Sequence, residues 1–300
     1  IKAQPMDGVV LLGGCDKTVP AQAMAAISAN IPSIMVVAGS MMAGHWKGQR
    51  LGACTDCRRL WAQYRAGELT KEEIEEIETS LCATGGTCMV MGTASTMACI
   101  METLGLMLPG GSTPPHSTGD RLKNCVASGR EIVKMVEKEL TPDKILTRAS
   151  FDNALKILMA VGGSTNAIVH LLAIARRAGI PMSLKDFNSA SESTPLLLDC
   201  KPAGKGYMED FHNAGGLPVL MKELGQILDL ETKTAFGNTL AESLAIVPSP
   251  ENWQDTIRKR ENPVKDSGAI TALFGSLAPN GAIIKSAAAS ELLIKHKGPA

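Results

Sequence analysis

Gly8-Val9-Val10-Leu11-Leu12-Gly13-Gly14-Cys15-Asp16-Lys17-Thr18-Val19-Pro20 is the stretch in which the structural period changes. Residues 8–12 have the continuous apolar, β-branched character of a strand in a parallel sheet. Two glycines then permit a tight turn, and Pro20 opens an apolar helical stretch over residues 21–29, where proline is best tolerated. Residues 33–37 read as a second short buried strand. A thiol, a carboxylate and an amine therefore stand side by side on a strand-to-helix loop, where α/β proteins keep their chemistry. The three residue types suit a metal. The alternative is a free cysteine beside a surface ion pair, and the pattern alone leaves both open.

Bulk properties narrow the classes. The 300 residues are 45% hydrophobic and 20% charged, ordinary for a globular protein with a sizeable core. Thirty basic residues balance thirty acidic ones, so nothing favours nucleic acid or an anionic membrane surface. Aromatics at 3% leave little for base or sugar stacking. No leader pattern and no apolar stretch of membrane-spanning length is present. Eight cysteines are too sparse for a disulfide scaffold. The expected compartment is the cytoplasm, or the mitochondrial matrix in a eukaryote. A chain beginning at Ile1 and ending at Ala300 just after an apolar run reads as a segment of something longer.

Outward from the opening stretch, residues 38–48 form a glycine-rich loop whose His45 and Lys47 would meet an anionic substrate, or simply be structural. Cys54-Thr55-Asp56-Cys57 is a lone CxxC pair; with no second pair at zinc-site spacing, incidental thiols are the favoured reading. Thr70 and Glu73 predict a capping box for a charged helix over residues 70–80. In Cys82 to Met97 small residues dominate, and a helix is expected to begin near Cys88 or Gly92 and run to about residue 104. A thiolate near a helix N-terminus is favoured there, which suits metal binding. Cys99 and Cys125 read as core thiols. Helical spacing recurs over residues 123–140, 150–161 and 166–178. Between the last two, Gly162-Gly163-Ser164-Thr165-Asn166 offers backbone and hydroxyl donors to an oxygen-rich ligand, although a C-cap glycine followed by an N-cap is the commoner meaning. His170 reads as a core histidine. A polar stretch over residues 229–261, with Pro248, Pro250 and Pro263, marks a boundary. Strand, turn and strand over residues 269–274, 279–281 and 282–285 then open a β-rich part.

Together these pieces resemble the iron–sulfur dehydratases that include dihydroxy-acid, 6-phosphogluconate and sugar-acid (aldonate) dehydratases. The resemblance rests on Gly14-Cys15-Asp16-Lys17-Thr18, Gly86-Thr87-Cys88 with Gly92 to Met97, and Gly162 to Asn166. Tyr207-Met208-Glu209-Asp210 with Ala214-Gly215-Gly216, and Leu277 to Ala282, extend it. It implies an α/β fold: an N-terminal α/β/α domain with parallel strands and many helices, over residues 1–245. Residues 246–300 would be a linker and the first strands of a β-rich, barrel-like domain. It implies that Cys15 and Cys88 are two of three cysteines holding an iron–sulfur cluster, 2Fe–2S in the sugar-acid branch and 4Fe–4S as the alternative. Asp16 and Lys17 would ligate Mg2+, Lys17 as a carbamate, since Mg2+ prefers oxygen. Ser164, Thr165 and His45 are the candidate substrate contacts.

The implied reaction removes water from a 2,3-dihydroxy acid to give a 2-keto-3-deoxy acid. Residues 92–97, 171–175 and the ending Ser286 to Ser290 with His296-Lys297-Gly298 resemble the sugar-acid branch, so a pentonate is the expected substrate. The alternative is the dihydroxy-acid dehydratase of branched-chain amino-acid synthesis. The resemblance also places a further cluster cysteine and an acidic ligand upstream of residue 15, and a catalytic serine downstream of residue 300. An inactive metal-binding fragment is thus a separate reading, and a zinc or redox protein using Cys54 and Cys57 is another. The family implies a homodimer or homotetramer.

Overall fold

The computed structural model describes residues 1–289, so Ser290 and the His296-Lys297-Gly298 ending lie outside the described residues. β1 (Val9–Gly13) pairs parallel with β2 (Ser33–Val37), from Val9 opposite Ser33 to Gly13 opposite Val37. The helix α1 (Thr18–Ala29) makes the crossover. It ends where Asn30 adopts a left-handed φ of 50° and its N–H returns to the Ala26 carbonyl at 2.8 Å. β2 is buried throughout, as its apolar run predicts. β1 is not: Leu11 and Gly13 face in, while Leu12 is 71% exposed. Leu11 joins the main core on one face, as Met35 and Val37 of β2 do, but on the other face Val10 and Leu12 lack the cover that Ile34 of β2 finds with Met135 of α5.

The loop expected over residues 38–48 contains a hairpin, β3 (Gly44–Trp46) with β4 (Gln49–Leu51). Its turn places Lys47 at φ 46° and Gly48 at φ 79°, the pair of positive angles that a two-residue hairpin turn requires. α2 (Ala53–Arg65) and α3 (Lys71–Leu81) follow; Leu51, Leu60, Ile74, Ile77 and Leu81 form their own small core. The capping box of Thr70 and Glu73 is present.

At the centre lies α4 (Thr93–Thr103), buried from Ser95 to Thr103. Around it run α5 (Gly119–Glu137), α6 (Pro142–Ile145), α7 (Arg148–Ala160), α8 (Asn166–Arg177) and α9 (Leu184–Ser193). Met97, Ile100 and Met101 of α4 meet Phe151 and Leu158 of α7 and Leu171 and Ile174 of α8 in the main core. Truncating a fully buried side chain such as Phe151 to alanine would cost about 3–5 kcal/mol. A second apolar core gathers Phe211, Leu217 and Leu220 against Cys99 and Ile157. It is built on α10 (Met208–Asn213), α11 (Gly216–Leu224) and α12 (Leu240–Ala245). Cys99 is buried as expected, whereas Cys125 is exposed, because it sits on the outer face of α5.

β5 (Thr271–Gly275) and β6 (Ala278–Ile284) form an antiparallel hairpin. The turn falls at Ser276-Leu277, and Pro279-Asn280-Gly281 lies inside β6. An irregularity between Leu273 and Gly275 accommodates that stretch, and proline is tolerated in a strand with an open edge. Asn188 of α9 ties the hairpin down, donating to and accepting from the Ala272 backbone at 2.9 and 2.7 Å. The fold is thus mixed α/β with a parallel pair and many helices. Among the described residues no helix is long and apolar enough to cross a membrane.

Candidate active site

Cys15, Asp16 and Lys17 occupy the loop between β1 and α1. Cys15 and Lys17 are exposed; the Cys15 thiol donates to Asp16 Oδ1 at 3.4 Å, and Lys17 Nζ lies 3.9 Å from Asp16 Oδ2. An ion pair this long and this exposed adds little stability. These groups are therefore not committed to holding the fold.

Three loops are sewn together around Cys15. The Ala38 N–H donates to the Gly13 carbonyl at 2.8 Å; Thr87 N–H donates to Gly39, and Met41 N–H to Thr87, at 2.9 and 2.8 Å. Cys15, Ser40, Thr87 and the α4 residues Ala94, Ser95 and Ala98 line one small cavity. Gly86 makes the approach possible: at φ 130°, a Cβ there would stand 2.6 Å from the Met41 nitrogen. Cys88 follows on this loop, half-buried against the small cluster of Ala43, Met89, Val90 and Tyr207. It precedes the first turn of α4, which starts at Thr93, so the expected thiolate at a helix N-terminus is not found; Gly92 is the cap.

Ser164 does not offer its groups outward. Its N–H donates to Thr96 Oγ1 at 3.0 Å, and its hydroxyl shares a 2.8 Å bond with Thr93 and accepts from the Asn166 N–H. Asn166 Nδ2 donates to Thr93 Oγ1 as well. These small neutral groups clasp the first turns of α4 and α8. Thr165 is half-buried and its hydroxyl stays out of the clasp. The clasp brings the first turns of α4 and α8 together, and Val19 of α1 shares the Cys15 cavity with Ala94, Ser95 and Ala98 of α4. The N–H groups that open α8 are engaged, Asn166 with the Ser164 hydroxyl and Ala167 and Ile168 with the Ser164 and Thr165 carbonyls, so the partial positive charge of the α4 first turn is the part left to favour an anion.

His170, one turn into α8, is not a satisfied core histidine. Its Nε2 is buried without a hydrogen-bond partner. Burial lowers its pKa first, the Lys17 charge lowers it further, and Asp16 opposes them, so His170 faces the triplet. His116 also went unread in the sequence: its N–H donates to Ser40, its ring bonds the Ala38 carbonyl, and a Cβ on Gly85 would touch it. Neither carried a motif of its own; their proximity comes from the packing of α8 and the Pro114-Pro115 turn. His45 is exposed on β3, and among the described residues no hydrogen bond or shared cavity joins it to the triplet.

Two other features contrast with this one. A cavity of about 290 Å3, lined by Met221, Phe236, Leu240 and Leu244, shares no residue with the Cys15 cavity and gathers no comparable set of reactive groups. A second ionic cluster joins Asp56, Lys201 and Tyr207: Lys201 Nζ reaches Asp56 at 3.0 Å and Tyr207 at 2.6 Å, and Tyr207 donates to Asp56 at 2.9 Å. Cys54 and Cys57 lie on α2 beside it.

Comparison with known proteins decides the kinship. Residues 1–243 match the family described as "Dihydroxy-acid/6-phosphogluconate dehydratase N-terminal", and residues 255–300 match its C-terminal counterpart. The chain belongs to the dihydroxy-acid/6-phosphogluconate dehydratase family. It is 44% identical over 303 residues to the L-arabinonate dehydratase of Rhizobium leguminosarum bv. trifolii, covering 100% of this chain and 52% of that one. With the dihydroxy-acid dehydratase of Caldanaerobacter subterraneus subsp. tengcongensis it shares 41% over 300 residues, 99% of this chain and 53% of the relative. With the 6-deoxy-6-sulfo-D-gluconate dehydratase of Pseudomonas putida it shares 41% over 303 residues, 100% and 52%. The chain spans about half the length of the curated relatives it matches.

For a dehydratase-family site the donor chemistry here is suitable. Soft thiolates suit an iron–sulfur cluster, and a hard carboxylate suits Mg2+. Ser40 adds a buried hydroxyl with no partner on the wall of the Cys15 cavity. Among the described residues no group of three His, Cys, Asp or Glu side chains is placed to hold a metal ion.

Proposed function

We propose that this chain is the site-bearing part of a hydro-lyase that dehydrates a sugar acid, a pentonate by preference, to a 2-keto-3-deoxy acid. The observation that carries the reading is the Cys15-Asp16-Lys17 loop, loosely held and opening on a cavity walled by the first turns of α4, in a chain of this family. Cys15 and Cys88 would hold an iron–sulfur cluster, and Asp16 with carbamylated Lys17 would hold Mg2+. When bound, these groups would supply Lewis acidity toward the hydroxyl and carboxylate oxygens of the substrate.

The rest falls to the chain's own residues. The first turn of α4 would orient a carboxylate, because Ala94 and Ser95 wall the Cys15 cavity and a helix N-terminus favours negative charge. Among the described residues the Thr165 hydroxyl has no partner, and His170 Nε2 has hydrogen-bonding capacity to spend on a ligand oxygen. Gly39, Ser40 and Thr87 of the two paired loops form one wall of the Cys15 cavity. The C2 proton would be taken by a base outside this chain, as the resemblance implies.

The pentonate preference is supported by residues 92–97 and 171–175; the 2,3-dihydroxyisovalerate reaction is the second reading, supported by the dihydroxy-acid dehydratases among the relatives. The test is anaerobic purification of the full-length protein with iron, sulfide and magnesium analysis, then turnover on pentonates, sulfogluconate and 2,3-dihydroxyisovalerate. Iron and sulfide with keto-acid formation from pentonates is expected. A folded protein that binds neither iron nor sulfide would overturn the reading. The proposal includes a homodimer or homotetramer, checked by light scattering.

A further inference from the structure

Lys285 follows β6 and is half-buried, with no carboxylate in ion-pair distance among the described residues. Its ammonium donates a 2.6 Å hydrogen bond to the Gly162 carbonyl. Burial without a countercharge lowers its pKa to about 8. A buried lysine engaged with a single carbonyl is a costly arrangement. The position of that carbonyl is therefore the matter to explain.

Both ends of the bond are anchored. On the lysine side, β6 pairs with β5, and Asn188 of α9 holds β5 through its two bonds to Ala272. On the other side, Gly162 closes α7 at a left-handed φ of 56°. The Gly163 N–H returns to Leu158 and the Gly162 N–H to Met159, at 2.9 and 3.0 Å. That closure turns the Gly162 carbonyl away from the helix, and no backbone donor among the described residues meets it. Two residues later Ser164 enters the clasp with Thr93 and Thr96, and α8 begins.

We propose that Lys285 is a positioning residue for the candidate site, fixing the Gly162 to Thr165 loop and with it the first turn of α8 against α4 and the Cys15 to Lys17 loop. The inference rests on the reading of that site given above. The Lys285 ammonium bonds the Gly162 carbonyl and none of the candidate ligands Cys15, Asp16 and Lys17, so it would act through the loop. The hairpin within the second matched region thereby sets the geometry of a site built in the first. Without the ammonium the loop keeps its clasp at Ser164 but loses its anchor at Gly162. A ligand would then have to order the loop on binding, which raises KM more than it slows turnover.

The test compares K285M and K285R with wild type in the full-length protein. It reads amide exchange at residues 163–168, thermal unfolding, and kinetics on the substrate that wild type turns over. K285M is expected to exchange those amides about tenfold faster, with KM up about tenfold and kcat within about threefold. Its unfolding temperature should hold, and K285R should move exchange and KM back toward wild type. Unchanged loop exchange in K285M would overturn the proposal. So would a lowered unfolding temperature with uniformly faster exchange, the signature of a lysine that merely holds the fold. Wild type without turnover would count against the proposed reaction, and loop exchange would still decide whether Lys285 anchors the loop.

Discussion

Two clusters in this molecule use overlapping chemistry to opposite ends. Asp56, Lys201 and Tyr207 are closed on one another: Asp56 also accepts from the Gly52 N–H at 2.8 Å, and Tyr207 donates to the Arg50 carbonyl. Burial pushes the Asp56 carboxyl up, but its bonds from Gly52, Lys201 and Tyr207 outweigh that and hold it below the usual carboxylate range. Burial likewise works against the Lys201 ammonium, and its bonds to Tyr207 and Asp56 raise it regardless. Cys15, Asp16 and Lys17 are open, with one 3.4 Å contact and one 3.9 Å ion pair among them. A neighbouring His170 nitrogen and a Ser40 hydroxyl lack partners entirely. Polar groups satisfied by each other build structure; polar groups kept unsatisfied at a cavity wall are available to a ligand.

If the distinction is sound, mutations should separate cleanly into losses of chemistry and losses of stability. The largest effect is expected from Cys15→Ser, which should abolish iron and sulfide retention and reduce turnover on the order of 10³-fold or more, with the unfolding temperature of the metal-free protein unchanged. Full iron content in that variant would remove Cys15 from the ligand set. Lys17→Met should lower turnover on the order of 10²-fold and weaken Mg2+ dependence, again with little effect on folding. In the closed cluster Asp56→Ala should do the reverse. It leaves Lys201 and Tyr207 without their shared acceptor and should cost about 3–5 kcal/mol in denaturant unfolding, while any turnover per folded molecule holds.

The pH dependence of that cluster follows from the signs. Asp56 is depressed in the fold, so its contribution is present above about pH 4 and lost as pH falls through the lower folded value. Lys201 is raised, so its contribution is present below about pH 10.4 and lost as pH rises through the higher folded value. Asp56→Asn should flatten the acid limb of the stability profile, and an unaltered limb would show that other carboxylates govern it. The smallest effect belongs to the clasp: Thr93→Val removes one neutral hydroxyl and should cost about 1 kcal/mol.

Much of this was legible in the residues. The apolar run at 33–37 gave β2 its bounds, and Thr70 with Glu73 gave the start of α3, because strand burial and helix caps are local signals. The exposed alternate face of β1 was not legible, since it depends on which strand the helices cover on that side of the sheet. In the site, the Cys-Asp-Lys triplet stood out as three reactive types in sequence. His170 did not, because a histidine among apolar residues at helical spacing looks the same whether its ring meets a core or a cavity. Ser164 was read as a donor to a ligand, and only tertiary packing shows its groups engaged with Thr93 and Thr96. Lys285 is a lone lysine after an apolar strand, and its partner lies 123 residues earlier.

The Thr93, Thr96, Ser164 and Asn166 clasp has one further consequence. All four side chains are uncharged, so the register between α4 and α8 is indifferent to ionic strength. The charges and helix ends around Asp16 and Lys17 are exposed, and their reach shrinks as salt shortens the Debye length. Raising salt would therefore slow the capture of an anion while leaving the place where it docks unchanged.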